Sequence, residues 1–201
     1  SAMVLGSWYM AEPNAFDGKD AEFAGNTASG SNKAGNFSPY WVHDGDKVIF
    51  QPLDQGNEYQ EPYYAVPKRT GKSAVVEPYA YDVAGKSVLM TSVVYPVFSR
   101  GQFIGVAGLD MALDSVSKTL GALKPLGGGR VMMLSPSGKW IAHPDPAKRT
   151  QPYADIGADQ VQSVLAGGAA VAAARPRRGP RALVGLHAIA GGHLLGRRNH
   201  H

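Results

Sequence analysis

Cysteine is absent from all 201 residues. A disulfide framework and thiolate metal sites are therefore excluded, while an oxidising compartment is not. No run of about 18 apolar residues occurs, so no stretch reads as a membrane-spanning helix. Acidic residues run out at Asp159, and that absence changes the meaning of the net charge. The formal +4 and the pI of about 9.3 suggest an anionic partner. Yet residues 1–160 hold 14 basic against 16 acidic side chains, a net of −2. The basic excess belongs to the C-terminal stretch, and nucleic-acid binding by the main domain loses its support. A content of 44% hydrophobic and 18% charged residues excludes a disordered chain and suits one domain with part of a second.

The C-terminal stretch differs from the rest. From Ala166 it consists of small residues and arginine, with Ala172-Ala173-Ala174 followed by Arg175-Pro176-Arg177-Arg178-Gly179-Pro180-Arg181. It reads as a non-native end over residues 166–201, with a nucleic-acid-binding arm as the alternative. Ser1-Ala2-Met3 reads as an expression scar.

Between these ends, turn signals separate apolar runs. Asp44-Gly45-Asp46, Ala84-Gly85-Lys86 and Ser99-Arg100-Gly101-Gln102 each lie between two strand-like segments, which predicts three hairpins and an antiparallel sheet. After Asp110 the period lengthens. Leu113, Val116, Leu120 and Leu123 share one helical face, and the helix is expected to stop at Pro125 and the glycines 127–129. A fourth hairpin is expected around Ser135-Pro136-Ser137-Gly138, and a short helix over residues 157–166. The fold class is α+β in two unequal modules, 4–110 and 129–165, joined by a helix and linker over 111–128.

Signals for catalysis are poor. Ser135 sits in a hairpin turn, no nucleophile elbow or zinc-binding helix motif occurs, and Pro on both sides of Asp145 makes His143-Pro144-Asp145 a loop. A secreted hydrolase using His43 or His143 as base is the enzymatic alternative. Asn14, Asp17 and Asp20 miss the calcium-loop spacing and suit turns better. No metal and no cofactor is implied.

Aromatics carry a stronger signal: 16 of 18 fall within residues 1–103. Packing accounts for most of them. A few converging on a cavity beside one carboxylate would recognise an organic cation. Asp110, closing the run Gly105-Val106-Ala107-Gly108-Leu109, is the candidate carboxylate, and N-capping of the following helix is its alternative role.

Several blocks together resemble one family: Trp8 through Gly18, Phe37-Ser38-Pro39-Tyr40-Trp41, Tyr63-Tyr64, Glu77-Pro78-Tyr79, and Phe103 through Asp110. They are similar to the membrane-distal module of double Cache sensor domains of bacterial methyl-accepting chemotaxis receptors and some histidine kinases. Met132 to Pro144 resembles the opening of the membrane-proximal module. The resemblance implies a PAS-like antiparallel sheet with flanking helices, followed by the start of a second, smaller Cache module. It further implies a periplasmic position, a dimeric receptor anchored in the inner membrane, and a small-molecule ligand in the distal pocket. The transmembrane and long extracytoplasmic helices that open such receptors are missing from this sequence, which reads as a fragment.

Members that bind amino acids carry an Arg two residues before the motif Trp. Here that position is Pro39, if Trp41 is the Trp, and an ordinary amino-acid ligand is disfavoured. The resemblance assigns Asp110 to the ligand's amino nitrogen. The expected ligand is a quaternary amine such as choline or a betaine, with an amino acid or polyamine as the alternative. Trp41, Tyr64, Tyr81 and Asp110 are expected to contact it, with Trp8, Glu12 and Tyr40 next.

Overall fold

The computed structural model of the chain describes residues 3–127, 129–154, 162, 169–174 and 182–187. Two compact units result, Ser1–Pro152 and Tyr153–His201. In the second, β10 (Ala169–Ala174) and β11 (Ala182–His187) form an antiparallel pair. Apart from helical Gln162, the helix expected over 157–166 lies outside the described residues.

Three hairpins build most of the first unit. β2 (Pro39–Asp44) turns into β3 (Lys47–Pro52), β5 (Tyr79–Val83) into β6 (Lys86–Ser99), and β6 into β7 (Gln102–Ala112). Ala84 and Gly85 (φ 52° and 77°), then Arg100 and Gly101 (φ 49° and 81°), adopt the left-handed conformations that two-residue hairpin turns require. The second and third hairpins share β6, so the two apolar runs read as separate strands are one strand of 14 residues.

Two strands complete the sheet without a local turn signal. β1 (Gly6–Ala11) lies between β2 and β7, and β4 (Ala74–Val75) borders β6. The order is β3-β2-β1-β7-β6-β4, with β5 also on β6, and every pairing is antiparallel. β1 is thus an interior strand, held by β2 on one side and by partners on β7 about 100 residues away on the other.

One face of this sheet carries the core. Trp8, Met10, Tyr40, Val42, Met90, Val94 and Val106 are buried there. Helix α1 (Pro62–Thr70) adds Tyr63 and Tyr64 and packs on β6 and β7. Its Pro62 occupies the first turn, where the missing N–H leaves nothing unpaired, and Gly71 ends it at φ 65°. Helix α2 (Leu113–Gly121) follows β7 directly and buries Leu113 and Val116 against Met111, Ile141 and Ala142. It ends four residues before Pro125, and Leu123 is exposed. The fourth hairpin is short, β8 (Met133–Leu134) with β9 (Trp140–Ala142), and Ser135 Oγ accepts the Lys139 N–H inside its turn.

Glycines make room for the large rings. A Cβ on Gly108 would come within 2.2 Å of the Trp8 indole, and one on Gly6 within 2.6 Å of the Tyr40 ring. Gly108→Ala therefore has to displace Trp8. Overpacking of this kind is expected to destabilise by about 1–3 kcal/mol, read as a lowered unfolding temperature; a change within error would show that the indole moves freely.

Candidate functional site

Sheet register places the candidate groups together. Asp110 on β7 lies opposite Gly6 of β1 on one side and Ser92 of β6 on the other. Trp8 is paired with both Gly108 and Tyr40. Asp110, Trp8, Tyr40 and Ser92 consequently share the core face.

Asp110 is 2% exposed. Trp8 Nε1 donates to its Oδ1 at 2.8 Å, and Ser92 Oγ donates to the same oxygen at 2.6 Å. With the Ser92 proton so committed, the Tyr79 hydroxyl donates to Ser92 Oγ, also at 2.6 Å. Neither bond falls on Oδ2. The Tyr40 hydroxyl is buried beside the carboxylate without a hydrogen bond of regular geometry. Among the described residues no Lys, Arg or His forms an ion pair with Asp110.

Rings enclose this group. Trp8 meets Tyr63 edge-on at 5.5 Å between centroids, Tyr63 meets Tyr79 at 5.2 Å, and Tyr40 meets Tyr81 edge-on at 6.0 Å. Burial raises the Asp110 pKa above its ordinary 3.8, against the opposing pull of the bonds from Ser92 and Trp8 and of the Tyr40 hydroxyl beside it. Burial and then the Asp110 charge push the Tyr40 and Tyr79 phenols above their ordinary value as well.

The N-cap alternative for Asp110 is not what the structure shows. β7 continues to Ala112, which occupies the cap position, so the aspartate is a strand residue facing the core. Of the expected contacts, Trp8, Tyr40, Tyr81 and Asp110 come together. Trp41 does not. Adjacent strand residues point to opposite faces; with Tyr40 inward, Trp41 lies on the other face, 47% exposed and packed against Phe50 at 5.0 Å. Tyr64 and Glu12 form a separate cluster. The Tyr64 hydroxyl donates to Glu12 Oε1 at 2.5 Å, and Lys68 Nζ contacts both Glu12 oxygens at 2.8 Å. Glu12 is thus already neutralised by a protein cation, whereas Asp110 is not.

Tyr63, Tyr79, Ser92 and Glu58 belong around the site but were not singled out for it from the sequence. Glu58 is a second buried carboxylate, whose charge raises the Tyr63 and Tyr81 pKa values behind the larger effect of burial. Both its oxygens accept backbone N–H groups of its own loop, from Gln55 and Gly56. Of the two, Asp110 alone keeps an oxygen, Oδ2, without a hydrogen bond of regular geometry.

Other candidates serve locally. Asp17 accepts the Lys19 N–H, and Asp20 accepts from Asn14 N and Asn36 Nδ2. Asp145 caps the turn at Ala147. No hydroxyl donates to His43 or His143 among the described residues, and no group of three or more His, Asp or Glu there could hold a metal. Nor is any helix there long and apolar enough to cross a membrane.

An antiparallel sheet whose inner face presents rings and one carboxylate beneath a short helix is the architecture of a PAS-like α+β sensor domain. The family described as methyl-accepting chemotaxis protein-like, first PDC sensor domain, matches residues 1–118, and the chain belongs to it. The chain is 36% identical over 154 residues to the methyl-accepting chemotaxis protein TlpQ of Pseudomonas aeruginosa, covering 67% of this chain and 21% of that protein. It is 31% identical over 142 residues to PscA of Pseudomonas syringae pv. tomato, covering 68% and 22%. The chain thus spans about a fifth of the length of these relatives. A solved structure named methyl-accepting chemotaxis protein X aligns with TM-score 0.69 at 38% identity, over 83% of this chain and 61% of that one.

The raised Asp110 pKa has a stability consequence. With the folded value above the unfolded one, the protonated group favours folding fully below the unfolded pKa, and this contribution is lost as pH rises through the folded value. Asp110→Asn keeps an acceptor for Trp8 and Ser92 and removes the charge. Its unfolding temperature relative to the native protein is expected to rise as pH increases from about 4. A difference that stays constant as the pH rises above about 4 would contradict the assignment.

Proposed function

We propose that this chain is the extracytoplasmic ligand-binding module of a chemoreceptor and that it senses a small organic cation. The observation that supports this reading is a buried carboxylate with no protein cation beside it. Burying an ion without a partner is costly, and a ligand ammonium would supply the missing charge. Aromatic faces attract the same ligand by their quadrupoles and exclude water.

Asp110 would carry the charge contact, with Trp8, Tyr40, Tyr63, Tyr79 and Tyr81 as walls. A quaternary ammonium such as choline or a betaine needs no hydrogen-bond acceptor and fits such walls. One observation favours a second ligand class on the same site. Asp110 Oδ2 and the unpaired Tyr40 hydroxyl offer two acceptors, which a primary amine of an amino acid or polyamine could use.

In the complete receptor, which we take to be dimeric and anchored in the inner membrane, binding would shift the module between two states. It can do so only as far as the ligand prefers one of them. We infer a binding role rather than catalysis.

A thermal-unfolding screen with choline, betaines, polyamines and the common amino acids tests the reading. A ligand at a hundredfold excess over its Kd stabilises the fold by about 2.7 kcal/mol. One of the cations is expected to raise the unfolding temperature of the native protein. Asp110→Asn should weaken that binding by about 1–3 kcal/mol, and Trp41→Ala should leave it unchanged. Stabilisation by amines and not by choline would select the second class. No response to any cation, or an equal response in Asp110→Asn, would overturn the proposal.

A further inference from the structure

A cavity of about 230 Å³ lies between helix α2 and the end of β9. Its walls differ chemically from those around Asp110. Ser117 comes from α2, Lys124 from just beyond it, Arg130 from the approach to β8, and His143 from the end of β9; Val131 and Ala142 add apolar surface.

Every polar side chain on this wall can donate a hydrogen bond. His143 Nδ1 lies 2.9 Å from the Asp145 N–H and 3.2 Å from the Asp145 carbonyl oxygen; in the tautomer that accepts the former, the ring proton sits on Nε2. No Asp or Glu lines the cavity. Among the described residues, Lys124 and Arg130 make no ion pair. The Ser117 Oγ is buried and has no hydrogen-bond partner. A helical serine commonly returns its hydroxyl to the carbonyl four residues earlier; Ser117 does not. An unpaired buried hydroxyl is unfavourable, and an acceptor inside the cavity would remove that penalty.

We propose that this cavity is an anion site that takes a short-chain carboxylate, held by Lys124 and Arg130 with Ser117 as hydroxyl donor. Arg and carboxylate match in a two-pronged geometry. The apolar surface of Val131 and Ala142 suits a hydrocarbon chain better than it suits inorganic phosphate. The site is distinct from the aromatic one in position and opposite to it in charge.

Calorimetric titration of the whole chain with succinate, acetate and inorganic phosphate, at ionic strength held constant with sodium chloride, tests the proposal. Saturable binding of succinate or acetate is expected, tighter than that of phosphate. The double variant Lys124→Gln with Arg130→Gln should raise the Kd at least about tenfold. Both side chains are exposed, so the variant should keep the native unfolding temperature in the absence of ligand. Ser117→Ala should weaken binding while raising the stability of the ligand-free protein, since it deletes the unpaired hydroxyl. Asp110→Asn should bind the carboxylate as the native protein does. No carboxylate binding, equal binding in the double variant, or a preference for phosphate would overturn the assignment.

Discussion

The hydrogen bonds that converge on Asp110 Oδ1 tie the central part of the sheet together. Trp8 reaches it from β1 and Ser92 from β6, while the aspartate itself belongs to β7. Three adjacent strands are thereby fixed around one buried charge. The glycines at 6 and 108 exist in the same frame, because a Cβ at either would meet the Tyr40 or Trp8 ring. Neutral donors lessen the cost of the buried carboxylate without cancelling its charge, and the pKa stays raised. The arrangement is therefore at once a structural clamp and an unmet electrostatic demand. On the proposed reading that combination suits a sensor, because the buried charge gives the module a specific reason to bind a cation.

The contrast with the other acidic groups sharpens the point. Glu12 has Lys68 and Tyr64, and Glu58 spends both oxygens on its own loop. Each is satisfied within the protein. Around α2 the balance is reversed, with donors gathered on a cavity that no carboxylate lines. The two places would respond to ligands of opposite charge, and a receptor module could then integrate two chemical inputs through one connected unit.

Much of the sheet was legible in the sequence because hairpins are local. Ala84-Gly85 and Arg100-Gly101 announce their turns, and the change to helical period after Asp110 announces α2. β1 was not legible as a strand, since its partners on β7 lie about 100 residues away and no turn marks it. α1 was hidden by Pro62 and Pro67 within nine residues, one harmless at the first turn and the other tolerated in the interior. The site suffered from a subtler ambiguity. Tyr40-Trp41 and Tyr63-Tyr64 are adjacent pairs, and composition does not say which member turns inward. On β2 that depends on register against β1, which places Tyr40 with Trp8 and sends Trp41 to the opposite face. The capping alternative for Asp110 failed because β7 runs two residues further than the apolar run suggests, which makes the aspartate a buried strand residue. The resemblance of the sequence blocks to Cache modules agrees with the family match and with the α+β architecture.

The most direct test is an NMR titration of the Asp110 carboxyl carbon, with and without an organic cation that stabilises the fold. In the free protein the midpoint should lie above 3.8, the ordinary carboxylate value. Saturating cation should move it downward, because the bound charge favours the ionised form. An ordinary midpoint in the free protein, or one that the cation leaves in place, would contradict the account.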